Sequence, residues 1–267
     1  ERDAVEATSV GSGEAIRAAL DAGVTTFVLG IGGSATTDGG AGLLRGLGAN
    51  VDRDKALADL ANLDPRLADV DLAVACDVSN PLLGRSGAAA VYGPQKGASA
   101  ADVVELDRRL LFYADALEAA VGRRVRHTPG AGAAGGVGFG LLAIAGRFHS
   151  FALRPGVELL MEATDFDARL ADSDLVVTGE GRIDAQTAFG KTALGVARRA
   201  AEASVPCVAV GGGVEPEGIE ALATVGAIAV PVAEHPQSVE AAMAAGVAPV
   251  ERCGERLARL ASIWLTR

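Results

Sequence analysis

The 267-residue sequence predicts an α/β protein built around a parallel sheet. Three observations carry that expectation. The last third of the chain alternates short β-branched runs with helix-length segments, a rhythm that belongs to βαβ units and hence to parallel strands. Two earlier runs, VTTFVLGI (24–31) and VDLAVACDV (70–78), are apolar and short enough for buried strands. Both strands run into loops rich in glycine or carboxylates, and ligands of such sheets bind beyond the carboxyl ends of the strands.

Taken in order, SGEAIRAALDA (12–22) has apolar residues at helical spacing, a serine to cap it and Gly23 to stop it. After the 24–31 strand comes the loop GGSATTDGGAG, then a short helical stretch, GLLRGLGA. Residues 53–69 are polar, helical or irregular, with LDPRL marking a turn. The 70–78 strand breaks at Asp77 into the loop SNPLLGRSGAAAVYGPQKGAS, and residues 100–121 form a long amphipathic helix. TPGAGAAGGVGFGLLAIAG (128–146) reads as a glycine-rich turn feeding a buried helix. Strands at 174–179, 206–212 and 226–232 then alternate with helices at 190–203 and 217–225. A closing helix runs from about 237, interrupted near Pro249. Glu180, Arg182, Asp184 and Lys191 fall in the loop expected after the 174–179 strand.

Composition narrows the function. Aromatic residues make up only 4% of the chain, so the core is built from Ala, Val and Leu, while 35 glycines cluster in a few runs. A formal net charge of −10 disfavours nucleic-acid and anionic-membrane partners. The longest apolar run, residues 136–146, is about half of what a bilayer span needs. Cys76, Cys207 and Cys253 are too few and too scattered for a disulfide framework or a zinc site, which points to a reducing cytoplasm. Only three of 24 basic residues are lysine, and two of them, Lys96 in PQKG and Lys191 in FGKT, lie in glycine-flanked loops. A compact ammonium in such a loop suits phosphate, although chance placement on a solvated loop accounts for it about equally well. The chain opens ERDAVEATSV, without an initiator Met, and goes straight into a helix, as a piece of a longer polypeptide would.

Several motifs come close and fail. Gly190-Lys191-Thr192 ends like a P-loop, but that loop needs a glycine at 185, where Ala185 stands. Gly30-x-Gly32 begins a dinucleotide fingerprint that Ala35 interrupts. Ser34 would need glycine in place of Thr36 to make a nucleophile elbow. His127, His149 and His235 have no metal-ligand spacing. What remains is three glycine-rich loops, carboxylates at strand ends (Asp38, Asp77, Glu180, Asp184) and two lysines. Phosphoryl transfer uses such parts: N–H groups and lysines for the phosphate charge, carboxylates for Mg²⁺ and for the substrate hydroxyl proton. Taken singly, Asp38 and Asp77 read as well as turn or cap residues.

In sequence order these loops resemble the signature blocks of one family. GIGGSATTDGGAGLLRGLGA (30–49), ACDVSNPLLGRSGAAAVYGPQKGA (75–98), PGAGAAGGVGFG (129–140) and DLVVTGEGRIDAQTAFGKT (174–192) are similar to those of type I glycerate kinases. The resemblance covers nearly the whole chain and is most specific in CDVSNPLLG with GPQKGA. It implies ATP-dependent phosphorylation of D-glycerate to 2-phosphoglycerate, with Mg²⁺. It also implies two α/β domains, one a doubly wound parallel sheet (flavodoxin/Rossmann-like) and one mixed. Residues 1–150 would form the mixed domain with the glycine-rich loops, and 151–267 the C-terminal part of the doubly wound one.

On this reading Asp77, Asp184 and Lys191 are the catalytic candidates. Gly33, Ser34, Thr36, Asp38, Asn80, Lys96 and Arg182 would bind substrate or phosphate, and Asp77, Glu180 and Asp184 would carry the metal. Gly190-Lys191-Thr192 would open a helix whose N-terminus faces an anion. Two departures from the family pattern stand out: an N-terminal segment of roughly a hundred residues, a family-level size, is absent, and NVDRDKALADL after Ala49 is short and glycine-poor. Two alternatives stay open, a non-catalytic glycerate- or nucleotide-binding remnant and a kinase for a related small hydroxy acid. A sheet cut short would expose an edge to a second copy, which leaves a homodimer open.

Overall fold

Helix α1 (Val10–Asp21) leads into strand β1 (Thr26–Gly30) and the short helix α2 (Ala41–Gly46) of a computed structural model that describes residues 3–187 and 192–265. α1 starts two residues earlier than its spacing suggests, with Ser9 rather than Ser12 at its cap. α1 and α2 meet through glycines. A Cβ on Gly13 would fall 2.1 Å from the Leu43 carbonyl oxygen, and one on Gly46 would fall 2.6 Å from that of Val10.

Just before and within residues 53–69, read from sequence as polar and helical or irregular, the chain forms an antiparallel pair, β2 (Asn50–Asp52) and β3 (Leu57–Asp59). Three-residue strands show too little alternation to be read from sequence. Then follow β4 (Asp71–Ala75), helix α3 (Ala88–Tyr92), the 22-residue helix α4 (Ala100–Val121), helix α5 (Val137–Ala143) and β5 (Ser150–Arg154). The start of α4 is fixed by a capping box: Ser99 Oγ accepts from the Asp102 N–H, and the Asp102 carboxylate accepts from the Ser99 N–H. β1, β4 and β5 form a parallel sheet in the order β1-β4-β5. The core around it is richest in leucine, with Leu43, Leu44, Leu106, Leu110, Leu117 and Leu141 fully buried.

The chain divides into two compact units, Glu1–Gly156 and Val157–Arg267, each with its own core. The second contains α6 (Gly156–Ala163) from Val157 onward, α7 (Phe166–Ala171), β6 (Val176–Ile183), α8 (Thr192–Glu202), β7 (Cys207–Val214), α9 (Pro216–Ala223) and β8 (Ile228–Pro231). Its strands are parallel in the order β6-β7-β8, as the βαβ rhythm predicts. The closing helical region is two helices, α10 (Val239–Ala244) and α11 (Ala248–Leu265). The break precedes Pro249, which sits in the first turn of α11, where a missing N–H costs nothing.

Candidate active site

In the first unit, chain leaving the carboxyl ends of β1 and β4 lines a cleft of about 220 Å³. Gly33 and Ser34 come from the loop after β1, and Cys76 and Asp77 from the residues after β4; Lys96 comes from a 3-10 turn at Pro94–Lys96 and Ala134 from another at Ala133–Gly136.

Glycine makes this convergence possible. Gly135 sits at φ +66°, and a Cβ there would lie 1.9 Å from the Thr36 carbonyl oxygen; one on Gly136 would lie 2.6 Å from Gly39 Cα. The Gly39 N–H donates to the Gly135 carbonyl at 2.9 Å, so the two glycine-rich loops touch backbone to backbone. Ala134, directly before Gly135, is held in the left-handed region (φ 53°, ψ 40°), at a cost to an L-residue of about 1–2 kcal/mol.

Lys96 is the central charge, with only 5% of its surface exposed. Its Nζ donates to Ser34 Oγ at 3.0 Å and to the Thr36 carbonyl at 2.7 Å. Burial lowers its pKa to about 8, against an opposing pull from the Asp38 carboxylate. Gly33, at φ +67°, has open space around its α-carbon. The Thr36 hydroxyl reaches the Ala134 carbonyl at 3.4 Å. Asp77 is exposed, and its Oδ1 accepts from the Gly156 N–H at 2.8 Å.

Two expected substrate-orienting residues are engaged within the fold. Asp38 is 5% exposed, and its carboxylate accepts from the Ser9 N–H at 2.8 Å, the Ser9 hydroxyl at 2.8 Å, Gly40 N–H at 3.0 Å and Gly42 N–H at 3.1 Å. It ties the start of α1 to the start of α2. Asn80 accepts from the Tyr92 hydroxyl at 2.7 Å and donates to the Ser86 carbonyl at 2.8 Å, clamping the loop after β4 onto α3. Sequence reasoning missed Tyr92 and Cys76 as cleft residues. Cys76, whose thiol pKa burial raises, faces the cleft beside Asp77. Three successive alanines, strong helix formers, were the available signal for α3 and so for Tyr92.

In the second unit, Glu180 and Arg182 stand on a strand and not in the expected loop. β6 continues through them, with Glu180 opposite Gly211 and Arg182 opposite Gly213 in β7. Beyond the strand the turn Asp184–Thr187 closes on itself. The buried Thr187 hydroxyl donates to Glu180 Oε1 at 2.8 Å and accepts from the Asp184 N–H at 3.2 Å, while Asp184 Oδ1 accepts from the Gln186 N–H at 2.8 Å. Arg182 pairs with Glu215, and its Nε lies 3.7 Å from Asp184 Oδ2. Lys191 lies outside the described residues, and with it the proposed helix-opening Gly190-Lys191. Among the described residues, no three His, Cys, Asp or Glu side chains are grouped to hold a metal, and no helix is long and apolar enough to cross a membrane.

Fold and site together define an α/β protein with parallel sheets and a small strand-end cleft built around a buried ammonium. The chain belongs to the glycerate kinase family, whose model matches residues 1–262. It is 47% identical over 225 residues to glycerate kinase of Halalkalibacterium halodurans, covering 79% of this chain and 58% of that protein. To glycerate kinase of Bacillus subtilis it is 43% identical over 252 residues, covering 86% of this chain and 65% of that one. Glycerate 2-kinase of Escherichia coli K12 is 43% identical over 225 residues, 79% of this chain and 58% of that one. The crystal structure of a candidate glycerate kinase 2 from Salmonella typhimurium LT2 aligns over all of this chain and 72% of its own, with TM-score 0.78 and 38% identity. The chain thus spans 58–65% of the length of these curated relatives.

Proposed function

We propose that the chain forms the greater part of a kinase that transfers the γ-phosphoryl group of ATP to the 2-hydroxyl of D-glycerate, giving 2-phosphoglycerate. The observation that carries this is the strand-end cleft of a glycerate kinase family member, with the buried Lys96 ammonium and the accessible Asp77 carboxylate both lining it. Phosphoryl transfer asks a protein mainly to position the reactants and stabilise charge. Lys96 supplies the positive charge in a desolvated setting, where it acts more strongly than in water. Asp77 takes the hydroxyl proton, one carboxylate oxygen being steadied by the Gly156 N–H. In the second unit the carboxylates of Glu180 and Asp184 are hard oxygen donors of the kind that suits Mg²⁺, which uses one or two carboxylates together with phosphate oxygens. Bound there, the ion would neutralise charge on the phosphates. Arg182 and Lys191 complete the anion-binding set, and the three cysteines suit a reducing cytoplasm.

The test is coupled ADP release with D-glycerate, ATP and Mg²⁺, on the chain and on its Asp77→Asn variant. Turnover is expected to fall at least about 100-fold in the variant, the usual range for losing a general base. The fold should hold, because Asp77 is exposed and its hydrogen bond is to the Gly156 N–H. Turnover in the variant close to that of the parent would remove Asp77 from the mechanism.

A further inference from the structure

The loop after β1 is a thin wall. On one side lies the cleft of about 220 Å³, on the other a second cavity of about 420 Å³, and Ile31, Gly32, Ser34 and Ala134 line both. A wall with space on both faces has few packing contacts to fix it, yet Ser34 and Thr36 hold their oxygens on Lys96 Nζ. We infer that Arg53, in the turn between β2 and β3, is the positioning residue that braces this wall and so sets where the Lys96 ammonium stands. This rests on the kinase reading and adds to it a residue that lies outside the cleft.

Arg53 is a charged side chain with only 8% of its surface exposed, and it makes four hydrogen bonds within the fold. Nη1 donates to the Thr37 carbonyl at 3.1 Å and Nη2 to the Val5 carbonyl at 3.1 Å. Nε and Nη2 fork onto the Asp54 carboxylate at 2.7 and 3.1 Å. Thr36 and Thr37 thus offer successive carbonyls to two buried cations, Lys96 and Arg53. The arginine is itself held in place. Its turn is closed by the Asp52 carboxylate, which accepts from the Asp54 N–H at 2.9 Å and the Lys55 N–H at 3.2 Å, and Arg109 of α4 reaches Asp54 at 3.4 Å.

A buried guanidinium is a costly way to fill a turn, and well-packed apolar residues do so as well or better where packing is all that is needed. What the planar fork adds is geometry: it fixes two carbonyls and a carboxylate at once, which a lysine cannot do. One of those carbonyls belongs to Thr37, so any drift of the chain there carries the Thr36 carbonyl off Lys96 Nζ. A misplacement of about 1 Å from a change away from the chemistry can cost about 100-fold in rate.

The brace has a signature at Lys96 itself. The titratable groups facing that ammonium are Asp38, whose carboxylate favours the protonated form, and Asp77, Cys76 and Tyr92 in the cleft. Burial has the larger effect and brings the ammonium to about 8. A slack wall admits water to Nζ, which relieves the burial and lets the midpoint climb toward the ordinary 10.5. An arginine that served stability alone would leave that midpoint where it is.

The chain has only three lysines, so NMR titration of carbon-labelled lysine side chains follows Lys96 directly in the intact protein. In Arg53→Met and Arg53→Gln its midpoint is expected to rise by at least about one pH unit. Turnover with D-glycerate, ATP and Mg²⁺ should fall at least about tenfold in both. Asp54→Asn leaves the two carbonyl bonds of Arg53 in place, and should keep the midpoint within about 0.3 pH unit and turnover within about twofold. A Lys96 midpoint unmoved in a folded Arg53 variant overturns the inference, whatever that variant has lost in stability. If neither variant folds, the parent protein decides: the Arg53 guanidinium signals must step with the Lys96 midpoint, because coupling between two sites is reciprocal, and flat signals overturn the inference. The midpoint is read without turnover, so the two readings fail separately. A midpoint that moves with Arg53 in a chain without turnover keeps the brace and removes the kinase; turnover with a fixed midpoint does the reverse.

Discussion

The strand ends of the two units are built by different means. At the end of β1 in the first unit, Gly39, Gly135 and Gly136 bring two backbones together, and most added methyl groups there would collide with main chain. At the end of β6 in the second unit, side chains do the joining, with the Thr187 hydroxyl linking Glu180 to the Asp184 turn. Glycines are present there too, and they differ among themselves: Gly181 has nothing within 4 Å of where a Cβ would stand, whereas a Cβ on Gly218 would fall 2.7 Å from the Ile183 carbonyl carbon and one on Gly212 2.7 Å from the Gly181 carbonyl oxygen. Glycine density alone therefore says little about purpose: one cluster is a packing requirement under the cleft, and in the other at least Gly181 leaves open space.

The sharpest way to break this contrast is to add one methyl group to each unit. Gly135→Ala sets a Cβ 1.9 Å from the Thr36 carbonyl in a left-handed conformation, and is expected to destabilise the first unit by at least about 3 kcal/mol. Gly181→Ala, in open space, should stay within about 0.5 kcal/mol. Denaturant unfolding of both variants reads the difference; equal stabilities would mean that the glycine loops can move apart.

The next test concerns aspartates that sequence alone treats alike. Asp38→Asn replaces one acceptor of a buried carboxylate surrounded by N–H and O–H donors with another donor, and should cost about 2–4 kcal/mol. Asp77→Asn, on an exposed side chain, should change stability by less than about 0.5 kcal/mol while removing turnover. If the two variants melted together, Asp38 would not be the fastener its contacts describe.

Why sequence could not separate these aspartates is a question of reach. Each stands in a loop after an apolar strand, and local pattern carries no more than that. Asp38 is buried by Ser9, 29 positions away, and Asn80 is engaged by Tyr92, 12 positions away, so their roles appear only when distant segments meet. What depends on short-range order was legible: the βαβ alternation of the second unit, the long helix α4, and Lys96 as a cation in a glycine-flanked turn. The end of β6 was not, because Gly-Glu-Gly-Arg looks like loop, and only pairing with Gly211–Val214 keeps it extended. The hairpin β2–β3 escaped for want of length.

The smallest expected effect concerns buried hydroxyls, and it again divides the units. In the second, Thr187 has both its partners, so Thr187→Val should cost about 1–3 kcal/mol by leaving the Asp184 N–H and Glu180 without it. In the first, the Tyr113 hydroxyl is fully buried without a hydrogen-bond partner among the described residues, while its ring packs edge-on to Phe139 at 6.3 Å. Burial, with the nearby Asp38 charge, drives its pKa far upward. Tyr113→Phe keeps the ring contact and removes an unpaired polar atom, so stability should stay level or rise by up to about 1 kcal/mol. At about 2–4 °C per kcal/mol for a unit of this size, thermal melting resolves a gain of that order. A loss larger than about 1 kcal/mol would show that the hydroxyl has a partner, with water bridging to Asp38 the first to look for, and the first unit would then owe more to side-chain hydrogen bonds than its glycines suggest.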